Sequence, residues 1–205
     1  MTGGFALRGV TKAYGELGVL SGVTAEFAPA RAHVLMGPSG AGKTTLLRLL
    51  MGLAEPDAGA VGRPAGARLA ATFQEDRLLE GLTTTVNIRA PHGRMRGAEL
   101  EAFLARERAA LEAVELPADA RPVRELSGGQ RRRVAILRCA LADADALFFD
   151  EPLKGMDDAT VARVMAFLLP EMAGRTVFWV THDERELAWF SRAELWRVAG
   201  GAVRR

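Results

Sequence analysis

The stretch "AHVLMGPSGAGKTTLLRLLMG" (32–52) decides the fold. Its first five residues are a continuous apolar run, its middle is a glycine-rich loop, and its end spaces leucines as one face of a helix. A strand, a glycine loop and a helix in that order open an α/β unit built on a parallel sheet. Within it, "GPSGAGKT" (37–44) fits the phosphate-loop pattern G-x-x-x-x-G-K-[ST]. Gly37, Gly40 and Gly42 let the backbone curl past Pro38, which has no N–H, until successive N–H groups, across Ser39 and Ala41 and on to Thr45, surround an anion. Lys43 brings a mobile positive charge for the β- and γ-phosphates, and the Thr44 hydroxyl suits the shell of a Mg²⁺ ion. The rival is a glycine-rich turn with an incidental lysine. Lys43 is one of only three lysines, with Lys12 and Lys154, and the flanking strand and helix are those the motif requires. The loop therefore predicts a nucleoside triphosphate site.

Working outward, residues 5–30 show short alternating runs broken by glycine, which predict antiparallel strands. "ARLAATF" (67–73) is a further apolar strand candidate. From Glu75 to Arg124 strand-like runs vanish, and Leu100, Phe103, Leu104, Leu111 and Val114 fall at helical spacing. "ALFFD" (146–150) and "TVFWV" (176–180) have the continuous apolar character of parallel strands covered on both faces. Between them, Val161, Val164, Met165, Leu168, Leu169 and Met172 mark a crossover helix. "ELWRVAGGAVRR" closes as a hairpin turning at Gly200–Gly201. The expected architecture is one α/β domain over 1–205. It has a mostly parallel sheet, an N-terminal antiparallel β subdomain and a helical insertion at about 75–125.

Composition narrows the classes. At 205 residues the chain is long enough for one sizeable core. Net charge is +2, and no basic face stands out beyond Arg131–Arg133, so nucleic acid is not an expected partner. Cys139 is the only cysteine, which excludes an intrachain disulfide and a cysteine-rich metal site. No charged-then-apolar leader and no run of about 20 apolar residues is visible, so the expected location is cytoplasmic.

Two carboxylates end the 146–150 strand. Asp150 is placed to hold Mg²⁺ beside the phosphate loop. Glu151 adds like charge near phosphates, which structure alone does not favour; as a base for an attacking water it makes sense. A second stretch, "RELSGGQRRRV" (124–134), sets Ser127, Gly128 and Gly129 ahead of a helix, again an anion-binding arrangement.

Taken together, "GPSGAGKT", Gln74 in "TFQED", "LSGGQ" (126–130), "FFDE" and His182 in "VTHDE" resemble the ATP-binding cassette (ABC) ATPases, in family order from about Phe5 to Val203. The resemblance implies a P-loop NTPase core using ATP and Mg²⁺. It implies two cassettes arranged head to tail, with Ser127, Gly128, Gly129 and Gln130 of one facing the γ-phosphate held by the other. It also implies that Tyr14 stacks on adenine, that Gln74 meets Mg²⁺ and the γ-phosphate, and that His182 contacts the γ-phosphate. Each has a plain alternative: a sheet-surface tyrosine, a buried-turn glutamine, a structural histidine. Asp157 aligns with the aspartate of the loop that crosses the dimer, or else caps a helix. Arg131–Arg133 follow the signature as basic residues do in many cassettes, or form a solvated helix face. "LKGM" before Asp157 and "AILRCAL" after the signature depart from common family spellings.

Among the family's classes, a transporter ATPase beside a separate membrane permease fits best. A DNA-repair or regulatory ATPase is the alternative, but only ~50 residues separate the halves, without heptads or cysteine pairs. "EDRLLEGLTTTVNI" (75–88) resembles the segment after the glutamine in sulfonate, nitrate and taurine importers, and Leu78, Leu79 and Leu82 offer either a permease contact or internal packing. The implied assembly is an ATP-dependent homodimer, a permease and any substrate-binding protein. Import and export both stay open.

Overall fold

In the computed structural model, which describes residues 3–205, β3 (Ala32–Met36) lies between β7 (Thr176–Thr181) and β8 (Glu194–Ala199), parallel to both. β6 (Ala146–Asp150) pairs in parallel with β7, and β9 (Ala202–Arg204) closes against β8 as the antiparallel hairpin expected at Gly200–Gly201. With β5 (Leu69–Thr72) at its edge, the sheet has the order β5-β6-β7-β3-β8-β9. Every residue of β6 and β7 is buried, as continuous apolar runs require. The parallel register aligns Met36 with Thr181 and Asp150 with Val180. Three strands thus deliver Gly37, Glu151 and His182 to one edge of the sheet, where ligands of parallel α/β sheets bind. The helix α1 (Lys43–Met51) follows the glycine loop and ends at Gly52 in the left-handed conformation.

A second, three-stranded sheet has the order β2-β1-β4, from β1 (Phe5–Tyr14), β2 (Leu17–Phe27) and β4 (Ala58–Gly62), all antiparallel. Its inner face meets the larger sheet through aromatic rings. Phe5 stands edge-on to Phe148 and Phe178 at 5.7 and 5.2 Å, and Phe148 stacks on Phe178 at 4.8 Å. Beyond β4, Arg63 donates to the carbonyls of Leu49 and Leu50, satisfying the end of α1.

The chain divides into two compact units, and the elements above, except β5 beyond Leu69, belong to the first: the chain through Leu69, Ala144–Glu151 and Gly174–Arg205. The second comprises Ala70–Asp143 and Pro152–Ala173, and so contains the whole of the expected insertion. It holds α2 (Thr84–Arg89), α3 (Gly97–Ala113), α4 (Gly128–Ala140) and α5 (Asp158–Met172). Phe103, Ala110 and Leu111 of α3 are buried, and so is Glu107, whose carboxylate is bridged by Arg89 of α2. Arg106 pairs with Glu171, tying α3 to α5. Asn87 organises the 79–83 loop: it accepts from Leu79 N at 2.7 Å and donates to the carbonyls of Leu79, Leu82 and Thr83. That loop turns Leu78 inward and leaves Leu79 and Leu82 exposed, at 48% and 44%, with Val86 of α2 at 43%. Among the described residues, no helix is long and apolar enough to cross a membrane.

Candidate functional site

The phosphate loop is shaped by its glycines. A Cβ on Gly37 would stand 2.0 Å from the Val198 carbonyl oxygen, and one on Gly42, whose φ is +95°, 2.7 Å from Val19. Only glycine fits either place. Gly42 is also the N-cap of α1, and no side chain caps that helix. The helix thus starts without the capping oxygen that a serine, threonine or aspartate at that position would supply. Lys43 Nζ donates to the carbonyls of Gly37 and Pro38 at 2.7 and 2.8 Å. Burial lowers the Lys43 pKa, and the nearby Glu151 and Asp150 carboxylates oppose that shift.

Beside the loop, the Thr44 hydroxyl donates to Asp150 Oδ2 at 2.8 Å. Glu151, just past β6, is 7% exposed and adopts a left-handed φ of +48°, a costly conformation for a non-glycine residue. Its Oε1 lies 3.1 Å from His182 Nδ1, with the imidazole half exposed. A solvated strand-end glutamate would show none of this. A cavity of about 460 Å³ borders Gly37–Ser39 and His182, with Glu184 and Arg197 among its walls. In this unit Lys43, Thr44, Asp150, Glu151 and His182 form one cluster. Tyr14, at the end of β1, is 48% exposed, with Lys12 Nζ 5.5 Å from its ring centre.

The remaining candidates lie in the second unit. Gln74 is exposed in a bend after β5. Ser127 caps α4: its hydroxyl accepts from Gln130 N at 3.2 Å, while Gln130 Oε1 accepts from Ser127 N at 2.9 Å. This reciprocal capping box leaves the N–H groups of Gly128 and Gly129 outside it. Asp157 is the N-cap of α5, bonded to Thr160 N at 2.9 Å. The three arginines after the signature are not a solvated face. Arg131 pairs with Glu80 at 3.0 Å, Arg132 donates to Phe73 O and Asp76, and Arg133 donates to Val114 O.

A profile described as "ABC transporter" matches residues 20–154, more than half of the chain. The chain belongs to the ABC transporter family. The cassette is 39% identical, over 90% of its length and 74% of the relative's, to the taurine import ATP-binding protein TauB of Chromobacterium violaceum. It is 38% identical, over 86% of its length, to the Nod factor export ATP-binding protein I of Paraburkholderia xenovorans, and over 88% to the sn-glycerol-3-phosphate import ATP-binding protein UgpC of Burkholderia pseudomallei. It spans 62% and 54% of the lengths of those two relatives. In structure it matches the cassette MJ0796, solved as a dimer, with a TM-score of 0.82 and 28% identity over 98% of this chain and 97% of that one. A second structure of MJ0796 is a post-hydrolysis state bound to ADP and Pi, with the same scores. The architecture expected from sequence, an α/β core with an antiparallel β subdomain and helical elements, is the architecture of this family.

Two residues at the site escaped sequence reading. Glu186, in "THDERELAWF", accepts from Trp179 Nε1 at 2.7 Å beside His182. Arg132 looked like any surface arginine, yet is 7% exposed and holds the backbone next to Gln74. Neither contact leaves a periodicity in the sequence.

Proposed function

We propose that this chain is the ATP-binding and ATP-hydrolysing subunit of a transporter, working as a pair of cassettes at the cytoplasmic side of a separate membrane permease. The observation that carries it is the Glu151–His182 contact at the strand edge, one residue from the Thr44–Asp150 pair. Backbone N–H groups of the loop and Lys43 bind the β- and γ-phosphates, and Lys43 gives up its two loop carbonyls for phosphate oxygens. Tyr14 offers an exposed ring for the adenine.

The donor set fits Mg²⁺: a hydroxyl and a carboxylate 2.8 Å apart, with Gln74 as the proposed third ligand. Bound there, the ion would offset phosphate charge. Glu151 takes the proton of the attacking water, and its contact with His182 Nδ1 fixes the face it turns to that water. His182 directs its other ring nitrogen to the γ-phosphate. Ser127, Gly128, Gly129 and Gln130 serve the partner cassette's nucleotide. Leu79, Leu82 and Val86 form the apolar surface offered to the permease, while Leu78 belongs to the packing. For an importer, a substrate-binding protein completes the assembly. Nothing observed favours a DNA-repair role.

The deciding variant is Glu151→Gln, which keeps the shape and removes the base. Hydrolysis should fall at least ~100-fold while ATP binding survives. Light scattering should then detect an ATP-dependent dimer that a further Ser127→Arg change abolishes. Undiminished hydrolysis would remove Glu151 from the mechanism.

A further inference from the structure

His182 stands one residue beyond β7, and its half-exposed ring is held through Nδ1 by Glu151 at 3.1 Å. Its direction therefore depends on the backbone that follows. That backbone is tied to β7 at two points. Asp183 N donates to the Thr181 hydroxyl at 3.0 Å. Three residues on, in the 3-10 turn Glu184–Trp189, the Glu186 carboxylate accepts the Trp179 indole N–H at 2.7 Å and is bonded by Thr181 as well. The donors precede His182 and the acceptor follows it, so this carboxylate clasps the chain on both sides of the histidine.

The clasp is costly. Among the described residues no lysine or arginine lies at ion-pair distance from Glu186, and burial raises its pKa. A half-buried carboxylate with no lysine or arginine partner, its shift opposed by His182 alone among charged neighbours, is not what packing alone selects. Trp179 is fully buried between Phe149 and Phe190, with ring centres at 5.1 and 5.0 Å, so the indole is a rigid anchor.

We infer that Glu186 is a positioning residue for His182: by accepting the Trp179 indole N–H it pins the turn after the histidine to β7 and so holds the imidazole against Glu151. The inference rests on the proposed hydrolytic role of Glu151 and His182. It is tested with Trp179→Phe, which removes the N–H and keeps a ring between Phe149 and Phe190, and with Glu186→Ala and Glu186→Gln. Steady-state hydrolysis and binding of a fluorescent ATP analogue are measured for each.

Trp179→Phe and Glu186→Ala should each lower kcat about tenfold with unchanged nucleotide affinity. The double variant should be no worse than Glu186→Ala alone, because that change already breaks the Trp179 bond. Glu186→Gln keeps an acceptor oxygen and should retain most of the rate. A purely packing role would instead lower thermal stability in all three variants with kcat intact, and would overturn the inference. His182→Ala separates the two levels. Full activity there overturns the hydrolytic reading underneath, whereas an inactive His182→Ala beside a fully active Trp179→Phe overturns the clasp alone.

Discussion

Two helices of this cassette begin at glycine-rich motifs, and they begin differently. At α1 the N-cap is Gly42, in a left-handed conformation, which has no side chain with which to cap the helix. At α4 the N-cap is Ser127, and the Ser127–Gln130 box satisfies two donors with the protein's own oxygens. Both starts carry the partial positive charge of a helix N-terminus. The first leaves its donors to a ligand. The second stabilises itself first, and offers an anion the Gly128 and Gly129 N–H groups and a hydroxyl whose oxygen already accepts from Gln130 N. A site that must bind tightly and alone suits the first design. A site that must hold its shape until a partner's phosphate arrives suits the second.

The largest expected effect probes the first start. Lys43→Ala removes the one ammonium of the loop, and should weaken ATP binding by the isolated chain about 100-fold or more, measured by nucleotide titration. Stability without nucleotide should hold or rise, because burial already disfavours that ammonium in the fold. Unchanged affinity would mean that the bare N–H groups carry the site, and the contrast with α4 would lose its basis.

Acid compares the two units through one histidine each, His33 fully buried and His92 half-buried. His33 is fully buried against Phe27, Phe178 and Trp196, with Nε2 2.9 Å from the Ala28 carbonyl. Burial lowers its pKa below 6.5, although the Ala28 bond and Glu194 raise it. His92, against Phe103 in the second unit, is lowered by burial too. With the folded pKa below the unfolded one, the unfolded chain takes up the proton first as pH falls below about 6.5. Stability is then lost on acidification, by at most about 1.4 kcal/mol per pH unit for one proton. Urea midpoints at pH 7.5 and 5.5 should differ less in His33→Phe than in the wild type, and His92→Phe should flatten the dependence less. An equal effect would mean that the half-buried His92 loses as much hydration as the fully buried His33.

The contrast also bears on what could be read from sequence. β3, the phosphate loop and α1 were legible because strand, glycine loop and helix are local patterns, and β6 and β7 because burial on both faces leaves unbroken apolar runs. β4 was not legible. Its sequence is AGAVG, poor in β-formers, and it is a strand because β1 supplies the partner. Apolar spacing found the buried face of α3 but could not show that Glu107 joins it, since that depends on Arg89 eighteen residues earlier. The stripe expected of α5 held for Val164, Met165, Leu168 and Met172, whereas Leu169 is exposed. Leu78, Leu79 and Leu82 are equivalent in sequence, and the Asn87 bonds separate them. Motif chemistry is written in short windows. Buried charges and clasps depend on partners that only the fold brings near.

The smallest effect tests the second start. Ser127→Ala removes one half of the capping box, which should cost about 1 kcal/mol of stability, read as a shifted urea midpoint without nucleotide. Ser127→Asn keeps a capping oxygen and should recover most of it. Neither change should alter ATP affinity of the isolated chain, because in the proposed assembly this serine serves the neighbour's nucleotide. In a Glu151→Gln background Ser127→Ala should weaken ATP-driven dimerisation, whereas the effect of Lys43→Ala already appears in the single chain. Two outcomes would dissolve the distinction. A midpoint unmoved by Ser127→Ala would mean that the box stabilises nothing and that the hydroxyl is as uncommitted as the loop's own N–H groups. Loss of ATP binding by the monomer on the scale of Lys43→Ala would make both helix starts parts of one site within one chain, and the second phosphate would need no partner.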